Sequence, residues 1–179
     1  MNKFEKLSAA SASVRLQAAL AVGTEADSHA VGVLIQRSGV EEDFFVRDML
    51  TWALTRMPKD QVIPRLIEQL DVEGPPFAVS QSLHTLSKIA DPSAPSTWQE
   101  LVIRPELLHR RDTAQTAWRT FTGLVPDEKV SWLVEHLLHE LGKGSYEEQR
   151  SLGRALIELT KRGASISKPE ALKLMATME

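Results

Sequence analysis

The chain has no cysteine among its 179 residues, so disulfides, thiolate metal sites and a cysteine nucleophile are excluded together. No run approaches the roughly 18 apolar residues that a membrane-spanning helix needs. The N-terminus, "MNKFEKLSAASASVRLQAALAV", is broken by Glu5, Lys6, Arg15 and Gln17 where a signal peptide would be continuously apolar. These absences lead to the expectation of a cytoplasmic protein with no membrane partner. An excess of basic residues is missing too: a formal charge of −3 and a pI near 6.0 argue against a chain whose main work is neutralising a nucleic-acid backbone. Strand-like alternation does not occur, and Tyr, Phe and β-branched residues are not grouped into short runs. There is no P-loop, no glycine-rich dinucleotide loop, no G-x-S-x-G and no His-Glu-x-x-His. The expectation is therefore of no catalytic residues, no cofactor and no enzymatic activity.

What the chain does have is a repeat. Val14, Val46 and Ala78 are 32 residues apart, and so are Val22, Leu54 and Leu86, Val31 and Ile63, and Leu34, Leu66 and Trp98. After a small insertion Trp52 and Trp118 stand 66 apart, and "MPKD" at Met57–Asp60 is echoed by "VPDE" at Val125–Glu128. Self-similarity at a period of about 20 to 50 residues marks a solenoid or array. Within a unit the apolar spacing is helical. Val46, Met49, Leu50, Ala53, Leu54 and Met57 recur at three and four residues, and Val62, Ile63, Leu66, Ile67 and Leu70 do the same.

The pattern predicts an all-α fold of about five antiparallel helix pairs in a single domain over residues 1–179. The pairs are expected near residues 11–37, 43–71, 75–103, 111–142 and 145–178, with residues 2–9 as a short N-terminal cap carrying Phe4 and Leu7. Helices of about 10 to 16 residues leave room only for short turns. Asp43 is expected to cap the second pair. "DTAQ" from Asp112, "SYEE" from Ser145, and Ser167 with Glu170 all have capping-box form. Pro75 and Pro76 sit where the third pair begins, in the one part of a helix that tolerates proline. The regular period breaks at "VIRPELLHRRD", Val102 to Asp112.

The stretches "SVRLQAALAVGTEADSHAVGVLI" and "FVRDMLTWALTRMPKDQVIPRLIEQL" resemble the short HEAT repeats, the kind also called phycobilisome-lyase-type HEAT-like. The likeness lies in Val-Arg near the start of the first helix, the Ala/Leu-rich middle, the acidic turn and the proline-containing opening of the second helix. Weaker copies follow in "SLHTLSKIADPSA", "TAWRTFTGLVPDEKVSWLVEHLL", and "EEQRSLGRALIELTKRG" with "KPEALKLMATM". The resemblance implies a right-handed α-solenoid, an ARM-type superhelix whose first helices lie on the convex side and whose second helices line a concave groove. A two-helix unit of this length cannot bury its apolar stripe alone, which points to the same stacking. Arg15 and Arg47 are expected to bond Asp27 or Asp91, or helix ends of an adjacent unit, as a structural ladder.

Three groups of residues are candidate sites. In "EHLLHE", Glu135 and His139, and His136 and Glu140, are four apart and the histidines three apart, so His136 and His139 are weak metal-ligand candidates. Leu133, Val134, Leu137, Leu138 and Leu141 mark the buried stripe, which leaves both histidines on an outer, solvated face. Trp52, His84 and Trp118 occupy equivalent repeat positions, where they either fill the seam between units or stack on a partner. Asp48 lies one turn before Trp52, a Trp–Asp pairing of interest because alkylpurine DNA glycosylases are also built on HEAT-like repeats. The third group is Arg104, His109, Arg110 and Arg111, the densest positive cluster in a net-negative chain, directly before the expected cap Asp112. Cations are disfavoured at a helix N-terminus and anions are favoured there.

The functional expectation is a non-catalytic interaction scaffold or adaptor that binds a protein or peptide partner through the concave face. Arg104, His109, Arg110, Arg111, Trp52 and Trp118 are the candidate contacts, and the partner is expected to carry acidic groups. The alternative is a nucleic-acid-binding or DNA-repair-related protein, with nucleic acid the less favoured partner. A chromophore-lyase subunit rests on the repeat name alone.

Overall fold

A computed structural model describes residues 1–91, 93 and 96–178. Positions 92, 94 and 95 of the third expected pair, and Glu179, lie outside the described residues. Among those described there are ten α-helices and no strand. They form two compact units, Met1–Ile89 and Ala90–Glu179, whose boundary falls inside the third expected pair.

The first unit begins with a 3₁₀ turn, Glu5–Ser8, that buries Leu7. It continues through α1 (Ala12–Glu25), α2 (Val31–Val40), α3 (Phe44–Thr55), α4 (Lys59–Gln69) and α5 (Ala78–Ile89). First helices pack in order, α1 on α3 and α3 on α5, while α2 packs on α4. The core is the set the periodicity marks: Val22, Val31, Leu34, Val46, Leu50, Leu54, Val62, Leu66 and Leu86 are all buried. Gly23 permits the closest approach. A Cβ there would collide with the Trp52 ring and lie 3.0 Å from the Ala53 Cα, so α3 rests directly on α1's backbone.

Two bonding patterns recur at a 32-residue spacing in this unit. Ser11 and Asp43, 32 apart, cap α1 and α3 by accepting from the Val14 and Val46 amides. Arg15 and Arg47, also 32 apart, each direct one guanidinium nitrogen at two upstream carbonyls: Ala9 and Ala10 for Arg15, Glu41 and Glu42 for Arg47, all at 2.8–2.9 Å. The carboxylate expected for Arg15 is corrected. Its partner is Glu41, a fully buried side chain, at 2.7 and 2.9 Å, with Arg37 adding a bond at 2.9 Å. Asp27 instead pairs with Lys3, and that ion pair, with bonds from His29, holds its carboxyl at about 2. Arg47 stacks on Phe77, 4.6 Å from the ring centre.

The second unit contains α6 (Trp98–Val102), a 3₁₀ turn (Pro105–His109), α7 (Ala114–Leu124), α8 (Val130–Leu138), α9 (Tyr146–Lys161) and α10 (Pro169–Ala176). Here α9 is central, touching α7, α8, α10 and the 3₁₀ turn. α6, with five residues, falls short of the helix length expected for the third pair. Pro105 explains the stop, because the residue before a proline is pushed to extended backbone, as Arg104 is at φ −123° and ψ 95°. Arg162 ties the end of α9 to the last turn of α7 through the Thr122 carbonyl and to the α7–α8 turn through the Asp127 carboxylate, both at 2.7 Å.

Two expected caps are not formed. α7 is capped at Thr113 rather than Asp112, since Asp112 is engaged by Arg110. The N-cap position of α10 is Lys168, with no side-chain cap, so Ser167 and Glu170 do not form a box. The box at Ser145 and Glu148 is present, and Asp43 caps as expected. Pro64, read as part of the opening of the second helix, lies inside α4, which starts earlier at Lys59. Among the described residues no helix is long and apolar enough to cross a membrane.

Candidate partner-binding cleft

The positive cluster at residues 104–111 sits on the 3₁₀ turn and the entry to α7, and its members have separate roles. Leu107 and Leu108 bury the turn's apolar side. Thr113, itself buried, donates its hydroxyl to the Leu107 carbonyl at 2.7 Å, which is why it caps α7 without a side-chain bond. His109 reaches across to Glu140, just beyond the end of α8, with Nε2 and Oε2 2.7 Å apart and each side chain 17% exposed. Its Nδ1 is buried without a hydrogen-bond partner among the described residues and faces Gly144. A Cβ on Gly144 would crowd that nitrogen at 3.0 Å and collide with the Glu148 carboxylate; φ of +79° selects glycine independently. His109 is thus a bolt between the 3₁₀ turn and the α8–α9 loop.

Arg110 folds back on Asp112 at 2.9 Å, an exposed local pair of the kind that contributes little stability. Arg104 bonds the Leu101 carbonyl at 3.3 Å. Arg111 is different. It is exposed, has no ion-pair or hydrogen-bond partner among the described residues, and lines a cleft of about 450 Å³ between α7 and α9. Ala114 and Gln115 share its wall, and Ser145, Glu147, Glu148 and Ser151 form the α9 side. Glu148 is partly used, accepting from the Ser145 amide at 2.8 Å in the capping box. Glu147 is exposed. Among the described residues Arg111 and Glu147 have no ion-pair or hydrogen-bond partner, so the cleft offers a cation and a carboxylate, with hydroxyl and amide groups in the same lining.

Gln149 stiffens the α9 wall by bonding the Gly142 amide and the Glu140 and Lys143 carbonyls. The sequence reading missed Gln115, Ser145, Glu147 and Ser151 as site residues. The capping box at Ser145 was legible, but that it faces Arg111 depends on α7 packing against α9.

The remaining candidates have mainly structural neighbours. Trp52 rests on Gly23 and carries Arg56 5.9 Å above its ring. Trp118, half-buried, donates to Gln115 at 3.3 Å with Arg119 5.2 Å from its ring. His84 is half-buried; burial, then Lys88, pushes its pKa below the usual imidazole range, against an opposing pull from Asp48. His136 and His139 are both exposed; His136 donates to the Trp132 carbonyl at 2.8 Å and packs on that ring, and Glu140 is taken by His109. Among the described residues no three His, Asp or Glu side chains cluster as a metal site. In comparisons with known proteins the chain matches no family model and no curated protein.

Proposed function

We propose that the chain is a non-catalytic interaction module, a stack of HEAT-like helix pairs that holds a protein or peptide partner. Support for the stack comes from the 32-residue recurrence of cap, arginine and carbonyl clamp at Ser11/Arg15 and Asp43/Arg47. In such a stack the second helices line a concave face that presents an extended binding surface. The contact with the best-defined chemistry lies elsewhere, between the first helices α7 and α9. Arg111 carries the assignment: it lines the cleft with no ion-pair or hydrogen-bond partner among the described residues, while its neighbour Arg110 is already paired. A guanidinium of this kind receives a carboxylate through two parallel N–H donors, and Glu147 opposite favours a cation beside it. The occupant is a peptide segment bearing both charges.

The test compares affinity capture by wild type, R111E and R110E, with captured proteins identified by mass spectrometry and folding followed by thermal melts. A partner lost with R111E but retained with R110E, at unchanged melting temperature, supports the assignment. Equal capture by all three removes Arg111 from the interface. Duplex and single-stranded DNA are titrated in parallel, and binding that falls steeply with salt and disappears in R111E would replace the protein partner by nucleic acid.

A further inference from the structure

Among the described residues the first unit exposes two apolar features. One is a groove. Val46 and Ala53 in α3, and Ala78 and Thr85 in α5, occupy equivalent repeat positions and are all buried. Their counterparts on α1, Val14 and Ala21, are exposed instead, Val14 at 40%. With Ala18 they floor a groove of about 430 Å³, rimmed by Lys3, Lys6 and Gln17. Lys3 is spent on Glu25 and Asp27, which leaves Lys6 as the rim cation with no ion-pair partner among the described residues.

The other feature is a knob. Phe44 and Phe45, in the first turn of α3, are 65% and 71% exposed and hold each other edge to face with ring centres 5.6 Å apart. Contiguous exposed apolar surface marks interaction sites, and aromatic side chains, Phe among them, are enriched in the cores of protein interfaces. Beside them Glu42 is exposed, and its carboxylate has no ion-pair partner among the described residues. The knob's rim is therefore acidic where the groove's rim is basic, and none of the groove's lining comes from α3.

We propose that the occupant of the α1 groove is the Phe44–Phe45 knob of a second copy of this chain, with Glu42 of that copy set against Lys6. This self-association is separate from the Arg111 cleft and does not depend on it. Because knob and groove are different surfaces, the contact is heterologous and propagates into short chains unless two copies close it reciprocally. Two phenyl rings bury about 150–250 Å² each, well below a standard interface, so association is weak and visible from roughly 20 μM to 1 mM.

Sedimentation velocity on the whole chain across that range tests it. Wild type should show a weight-average mass that rises with concentration, and F44S/F45S should stay monomeric with unchanged circular dichroism. K6E and E42K should each associate about three- to tenfold more weakly than wild type, since each sets like charges against one another. An equimolar mixture of K6E and E42K restores an opposite-charge pair and should recover wild-type association. A wild type that remains monomeric throughout, an F44S/F45S variant that associates like wild type, or a mixture no tighter than either variant alone would each overturn the proposal. Should F44S/F45S fail to fold, the charge swap, which touches only exposed side chains, carries the test.

Discussion

Replacing Glu41 by alanine should destabilise the first unit far more than the loss of one carboxylate on a surface would. The side chain is completely buried and accepts from Arg15 at 2.7 and 2.9 Å, from Arg37 at 2.9 Å and from the Asp43 amide at 3.0 Å. Arg15 is itself only 13% exposed, so removing the carboxylate strands a nearly buried guanidinium. Breaking a buried pair from one side costs about 3–5 kcal/mol, a large share of the roughly 5–15 kcal/mol that holds a typical domain together. The amide that begins the turn into α3 loses its acceptor as well. Urea unfolding followed by circular dichroism measures the effect. A loss below about 1 kcal/mol, the range of an exposed ion pair, would refute the reasoning.

Acidity supplies a second reading of the same residue. Burial alone would push the Glu41 carboxyl up, but the Arg15 bonds, the Asp43 amide and Arg37 outweigh it, and its pKa lies below the usual glutamate range. A folded-state pKa below the unfolded one means stability that is fully present above the unfolded value, about 4.3, and is lost as pH falls through the lower folded value. The stability gap between wild type and Glu41→Gln should therefore be constant near neutrality and narrow in acid. A gap that widened below pH 4 would contradict the assignment.

Gly23→Ala should cost about 1–3 kcal/mol by overpacking, because the new methyl meets the Trp52 ring and the Ala53 backbone, and Trp52→Leu in the same chain should recover part of that loss. Equal losses with and without Trp52 would show that the indole is not what the methyl strikes. Ser145→Ala removes one half of the capping box and should cost the second unit about 1 kcal/mol in thermal or urea unfolding. A variant indistinguishable from wild type would mean that Glu148 holds the start of α9 alone.

Much of the fold follows from residues a few positions apart, and that part was legible in the chain. A 32-residue recurrence of apolar positions sets which faces are buried, and Val46, Leu54 and Leu66 lie in the core because helix periodicity leaves them no other side. Asp43 and Ser145 cap because their hydrogen bonds close within three residues. Where a local rule had a competitor in space, it failed. Asp112 had the form of a cap but pairs with Arg110, and Thr113 starts α7 with its hydroxyl turned to Leu107. Arg15 was expected to reach Asp27 or Asp91, or a helix end of an adjacent unit, yet the carboxylate that reaches it is Glu41, brought there by the return of α2. Within the positive cluster nothing in the order of residues separates Arg110 from Arg111. Arg110 pairs locally with Asp112, two residues on, whereas only the packing of α7 on α9 turns Arg111 into a cleft, since which groups meet across helices depends on where the apolar faces dock.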